Sequence, residues 1–219
     1  MKRILIDIGL IIAAFVLTQV PMTLAIIFGS QPAYAIGLSV AILLLIAFFI
    51  WSMKRLGLWV LPERLQNSQW TRQDTYWLAG GLLAMWGVNV ILSLLMEALG
   101  MGETTVNQEL IAQVMGQIPS YLSFLLVTVF AAVTEEAIFR GLIIGRLFQG
   151  QEKWGLLASA LIFGGLHLSD NPISYLIYAS MGLVMGLAYI KTGKLAVPMG
   201  IHFLNNLLAF AVMNLPLNM

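Results

Sequence analysis

Cysteine is absent from the 219 residues, which excludes thiol nucleophiles, disulfides and thiolate-bound metal and leaves Glu, His, Asn, Ser and Thr to carry any chemistry. Charge is almost as scarce: Asp, Glu, Lys and Arg make up 10% of the chain, against about 25% in an average soluble domain. The formal net charge is +1, and the Lys and Arg residues are scattered among the connections, so the basic stripe that a nucleic-acid binder needs is missing. No internal repeat supports an inverted-repeat transporter. No serine stands in Gly-x-Ser-x-Gly, and Ser123, Ser169 and Ser180 have no motif that would activate them, which argues against a serine hydrolase. The zinc-protease signature His-Glu-x-x-His is also lacking.

What fills the sequence is apolar. Hydrophobic residues make up 60% of the chain and its mean hydropathy is +0.91. This composition predicts an all-α, polytopic transmembrane helix bundle of about seven or eight helices, with residues 1–219 forming a single integral membrane domain. Apolar runs fall at about 4–28, 34–52, 75–99, 119–148, 154–168, 173–190 and 195–215. Lys2 and Arg3 before the first run, and the length of that run, suit a retained signal-anchor better than a cleaved signal peptide.

A surface segment from Met53 to Asp74 carries Lys54, Arg55, Arg64 and Arg72 with Trp59 and Trp70, a mixture suited to the headgroup zone. Within it, Leu56 to Leu61 is expected to lie in the interface or to start a short extra helix. With a cytoplasmic N-terminus and one crossing per run, these cations and Lys2, Arg3, Arg146, Lys153, Lys191 and Lys194 fall inside. The outside loops then carry no basic residue, which supports seven crossings in a multi-pass membrane protein, of the bacterial inner membrane by its economy of sequence. The fifth run is short: fifteen residues of helix cover only ~22 Å of a ~30 Å hydrocarbon core. The fifth and sixth runs are therefore expected to form a hairpin whose Ser169-Asp170-Asn171-Pro172 turn stays inside a water-filled cavity.

Within these apolar runs, ionisable side chains are costly and mark functional positions. Glu135 and Glu136 are adjacent, and Arg140 lies one turn beyond Glu136 in the favourable orientation for an intrahelical pair. Glu136 is expected to be an anchor held as an anion by Arg140. Glu135, rotated about 100° away, is left as the candidate base. Both histidines of the chain, His167 and His202, also fall in apolar runs. Phe163 precedes His167 by four residues and can restrict its ring, while Gly164 and Gly165 allow close approach of a neighbour. His202 and Asn206 share a helix face and could act as paired donors toward an oxyanion. Asn205 is expected to bond between helices. Asp7 and Asn89 have no spaced partner and are expected to pack or to line a cavity, and Glu97, Glu103 and Glu109 to face solvent.

The three elements Glu135-Glu136-Ala137-Ile138-Phe139-Arg140, Phe163 to His167 and His202 to Asn206, in this order on consecutive apolar segments, resemble the CAAX protease and bacteriocin-processing family of intramembrane endopeptidases (CPBP, also called Abi). Its motifs are Glu-Glu-x-x-x-Arg, Phe-x-x-x-His and His-x-x-x-Asn. The resemblance covers about residues 120–210, the expected catalytic core. It implies a helical membrane core with the motif residues around a cavity, and cleavage of a peptide bond near the membrane. Glu135 and His167 would activate water, His202 and Asn206 would stabilise the oxyanion, and Glu136, Arg140 and Phe163 would support them. The implied partners are membrane lipid and a peptide or protein substrate that could be lipidated.

Three other readings use the same residues. Zinc could sit on Glu135, His167 and His202 as a three-ligand open site, although no cofactor is the favoured expectation. A scaffold or immunity protein could use the cluster only to hold the bundle together. A transporter could use it as a proton relay, a reading weakened by the missing repeat.

Overall fold

The computed structural model describes residues 2–60 and 69–214. Among these, eight helices follow one another: α1 (Lys2–Phe28), α2 (Pro32–Arg55), α3 (Arg72–Ala98), α4 (Val106–Met115), α5 (Ser120–Leu147), α6 (Glu152–Leu166), α7 (Pro172–Thr192) and α8 (Ala196–Asn214). Arg64 and Leu61 of the surface segment, and residue 215 of the last apolar run, lie outside the described residues.

Local chemistry explains most of the boundaries. Thr71 caps α3 in a reciprocal box with Asp74. Asn171 caps α7 by accepting from the Ser174 amide, Pro172 opens that helix, and Gly193 closes it with φ of 67°, a left-handed conformation that glycine adopts at little cost. Residues Leu56 to Val60 form no helix; Val60 makes an isolated antiparallel bridge with Lys194.

Six helices, α1, α2, α3, α5, α7 and α8, are long and apolar enough to span a bilayer. The fifteen-residue α6 is not among them, yet it too leads from one end of the bundle toward the other. At one end Arg146 Nε donates to Asp7 Oδ1 over 2.6 Å, Arg3 Nη2 to Gln149 Oε1 over 2.6 Å, and Lys194 Nζ to Asp74 Oδ2 over 2.6 Å. At the other end Thr105 and Tyr178 share a hydroxyl bond of 2.7 Å, and Asn171 Nδ2 donates to the Met101 carbonyl over 3.4 Å. The basic residues of the connections thus gather at one face, as the charge pattern predicts for a multi-pass bacterial membrane protein.

The hairpin of α6 and α7 forms, but its turn is not enclosed. Ser169, Asp170 and Pro172 are exposed, and Asn171 reaches the loop after α3. The physical reason is that α6 ends at Leu166 and His167 continues in extended backbone; an extended residue advances the chain up to ~3.3–3.6 Å against 1.5 Å in a helix. The short helix therefore still delivers the chain to the far end. Asp7 also departs from its expected isolation, since Arg146 meets it from α5 and Arg3 lies one turn before it at 3.6 Å.

α5 is the axis of the bundle. Of its most apolar window, 61% is buried inside the protein against 17% for α1, so α5 is enclosed by protein while α1 turns most of its surface outward. α5 is also irregular, with π-helical stretches over Leu125–Phe130 and Ala137–Leu147. The Ala131 amide donates to the Leu126 carbonyl and Phe148 to Ile143, five residues back in each case. Such wide turns gather at functional sites, and here they flank Glu135 and Glu136.

Candidate active site

A cavity of about 680 Å³ opens among α1, α3, α4, α5, α6, α7 and α8. Glu135, His167, His202 and Asn206, expected from sequence to act together, all line it, as do Asn89 and Asn205. Phe163 lines it as well, whereas Glu136 and Arg140 lie behind it, fully buried.

The buried layer fixes the exposed one. Arg140 Nη1 donates to Glu136 Oε1 over 2.9 Å, and its Nη2 donates to the Gly182 carbonyl of α7 over 2.8 Å. The guanidinium lies 5.0 Å from the centre of the Phe163 ring, within range for a cation–π contact. Glu136 Oε1 also takes a hydrogen bond from His202 Nδ1 at 2.9 Å. One carboxylate oxygen thus ties α5 to α8, and its arginine ties α5 to α7. The bare Cα of Gly182 helps make room, because a Cβ there would come within 3.0 Å of Ala160 Cα.

Hydrogen bonding sets the tautomers of both imidazoles. A carboxylate and a carbonyl only accept, so Nδ1 carries the proton in each ring: His202 donates to Glu136, and His167 donates to the Phe163 carbonyl over 2.7 Å. That carbonyl belongs to the last turn of α6, where helix acceptors lack intrahelical partners. Nε2 is left in both rings to meet the cavity or a neighbour. His202 Nε2 lies 3.9 Å from Glu135 Oε2, and that oxygen is itself buried without a hydrogen-bond partner. His167 lies between two aromatic rings, tilted on Phe163 at 4.4 Å and stacked on Tyr178 at 4.3 Å.

Asn206 Nδ2 donates to the Val127 carbonyl over 2.8 Å, and Asn205 Nδ2 donates to Asn206 Oδ1 over 3.2 Å. Val127 sits in the first π-helical stretch of α5. Asn205 therefore bonds its own neighbour, where sequence spacing suggests a bond between helices. One amide hydrogen of Asn206 remains for the cavity, since a carboxamide nitrogen has two. Among the described residues no group of three His, Asp or Glu is placed to hold a metal ion.

Sequence spacing does not reveal Tyr178, Gly182 or α4. Tyr178 and Gly182 lie in an apolar helix whose residues offer no periodic polar signal. α4 could have been found: Thr105-Val106-Asn107-Gln108 fits the capping-box pattern, and the Thr105 hydroxyl does accept from the Gln108 amide. Residues of α4 such as Leu110, Ile111 and Val114 line the cavity.

Residues 117–208 match the family described as type II CAAX prenyl endopeptidase Rce1-like. The chain is 31% identical over 137 residues to the membrane-embedded CAAX protease MroQ of Staphylococcus aureus, covering 59% of this chain and 53% of that protein. It is 28% identical over 155 residues to the putative membrane peptidase YdiL of Bacillus subtilis, covering 67% and 60%. Over 201 residues it is 23% identical to the UPF0177 protein YvdC of Lactococcus lactis, covering 90% and 75%. The match thus spans little more than half of the Staphylococcus relative's length. No solved structure matches.

Proposed function

We propose, from the match of residues 117–208 to the type II CAAX prenyl endopeptidase Rce1-like family, that the chain is an intramembrane endopeptidase of the glutamate type. The observation that carries the proposal is the unpartnered, buried Glu135 Oε2 in a cavity shared with His167, His202 and Asn206.

In this mechanism a water is held by two acceptors, the Glu135 carboxylate and His167 Nε2, which aim an oxygen lone pair at the substrate carbonyl carbon. Attack forms the new C–O bond while Glu135 takes a water proton. The negative charge that develops on the carbonyl oxygen is met by the free amide hydrogen of Asn206 and by His202 Nε2–H. His202 can donate there only as the imidazolium, because its Nδ1 proton is already committed to Glu136, and the Glu136 carboxylate balances that positive charge. Collapse of the tetrahedral intermediate breaks the C–N bond, and the proton held by Glu135 passes to the departing amine. The substrate is a peptide or protein presented near the bilayer.

The test uses purified protein in lipid nanodiscs, offered membrane-anchored peptides, with comparative proteomics of membrane fractions to find new termini. Wild type produces bilayer-proximal cleavage that Glu135→Gln abolishes; undiminished cleavage by the variant overturns the assignment. The buried Glu136–Arg140–His202 network would also serve a non-catalytic scaffold. That reading predicts that His202→Ala lowers stability with no proteolysis to lose.

A further inference from the structure

Tyr178 belongs to none of the three sequence motifs, yet it makes the closest ring contact that His167 has. Its ring stacks on the imidazole with centroids 4.3 Å apart and planes 16° from parallel, opposite Phe163 at 4.4 Å. Phe163 is itself immobilised, packed edge-on to Phe139 at 5.0 Å and under the Arg140 guanidinium. The other jaw needs its own anchor, because a ring on α7 would otherwise be free to turn about its side-chain torsions. The hydroxyl supplies it: Tyr178 Oη shares a 2.7 Å hydrogen bond with Thr105 Oγ1 and accepts from Asn107 Nδ2 at 3.3 Å. Thr105 is the N-cap of α4, so the far end of the jaw is fastened to the helix that lines the outer part of the cavity.

We infer that Tyr178 is a positioning residue for the reaction: it clamps the His167 ring against Phe163 so that Nε2 faces the water. The inference rests on the proposed role of His167, and it adds a requirement that the motif residues alone do not state. The bond from His167 Nδ1 to the Phe163 carbonyl fixes one ring atom but leaves the ring able to pivot about it. The two flanking rings remove that freedom. A pivot of about 1 Å at a reacting group is enough to cost on the order of 100-fold in rate.

Because the chain has two histidines, ring-labelled histidine gives two resolved imidazole signals in nanodiscs, and the test reads them directly. In Tyr178→Leu the His167 ring shifts move while those of His202 stay, kcat falls roughly 10- to 100-fold and KM changes little. Tyr178→Phe keeps the ring but loses its hydroxyl anchor to Thr105 and Asn107, so its His167 shifts and kcat fall between those of wild type and Tyr178→Leu. Unmoved His167 signals in Tyr178→Leu, movement of both rings together, or moved signals with unchanged kcat would each overturn the inference. Full activity in His167→Ala would instead overturn the catalytic reading of the site, and the ring shifts of Tyr178→Leu would still report whether the clamp exists.

Discussion

His202 Nδ1 and Glu136 Oε1, 66 positions apart in sequence, meet at 2.9 Å in a buried contact that also includes Arg140. Through it, the orientation of an imidazole at the cavity wall depends on a carboxylate that never reaches the cavity. Glu136→Gln should therefore act at two levels. Arg140 loses the charge that balances it in a fully buried position, and breaking such a pair costs about 3–5 kcal/mol. His202 also loses the charged acceptor of its Nδ1 hydrogen bond. The expected outcome is a clear drop in thermal stability together with loss of cleavage. A variant as stable and as active as wild type would mean that the network is ornamental.

Glu135→Gln separates chemistry from folding. The side chain is partly exposed to the cavity and its buried Oε2 has no hydrogen-bond partner to lose, so the melting temperature should stay close to wild type. Cleavage should fall by at least the 10²- to 10⁴-fold typical for removal of a general base. Fluorescence-detected melting and single-turnover cleavage on the same preparation measure both quantities.

Asn206→Ala removes one donor toward the developing oxyanion, and the expected loss in kcat is on the order of 10²- to 10³-fold. It also frees the Val127 carbonyl. A stability loss of roughly 1–3 kcal/mol should accompany the kinetic effect, as when a buried acceptor is left unpaired. Unimpaired kcat would remove Asn206 from the reaction and leave it as a bridge between α8 and α5.

Chelation should leave turnover intact. The donors along the cavity do not assemble into a three-ligand set among the described residues, so activity after exhaustive treatment with a strong chelator, with elemental analysis of the same sample, is expected to match the untreated protein. Activity that vanishes on chelation and returns with added zinc would replace the glutamate mechanism with a metal one.

Gly164 lies at a close approach of α6 and α7 beside the site. A Cβ at that position would lie 3.0 Å from Ala179 Cβ and 3.1 Å from the Ala179 backbone nitrogen. Gly164→Val should cost about 1–3 kcal/mol through overpacking and displace His167, which follows three residues later. Reduced melting temperature with a larger proportional loss of cleavage is the expected result.

Much of this architecture can be read before any coordinates exist, because a bilayer admits few solutions. Seven of the eight helices coincide with apolar runs, with ends agreeing to within about three residues. α4 escapes that criterion because it is short and half polar, and its threonine cap is the signal to follow. At the site, spacing of four suffices to pair Glu136 with Arg140 and to put His202 and Asn206 on one wall, since helix geometry alone dictates both. The Glu136–His202 bond, the Gly182 carbonyl and the Tyr178 stack depend on how separate helices pack, and periodicity within one helix carries no information about its neighbours. Arg3 and Asp7 are the exception on the other side: their spacing of four was available, and Arg146 completes the group from α5.

The wide turns in α5 have a consequence for how the chain tolerates change. The first, Leu125–Phe130, accommodates one surplus residue between Ser120 and the acidic pair, so excising a single position from 125–130 would let the rod relax to ordinary pitch with little penalty of its own. The turns on either side would then keep roughly their present facing, whereas the loss of one position from a regular turn rotates everything beyond it by roughly 100°. A one-codon loss should therefore disturb the acidic pair less at 125–130 than in the regular turn over 131–134.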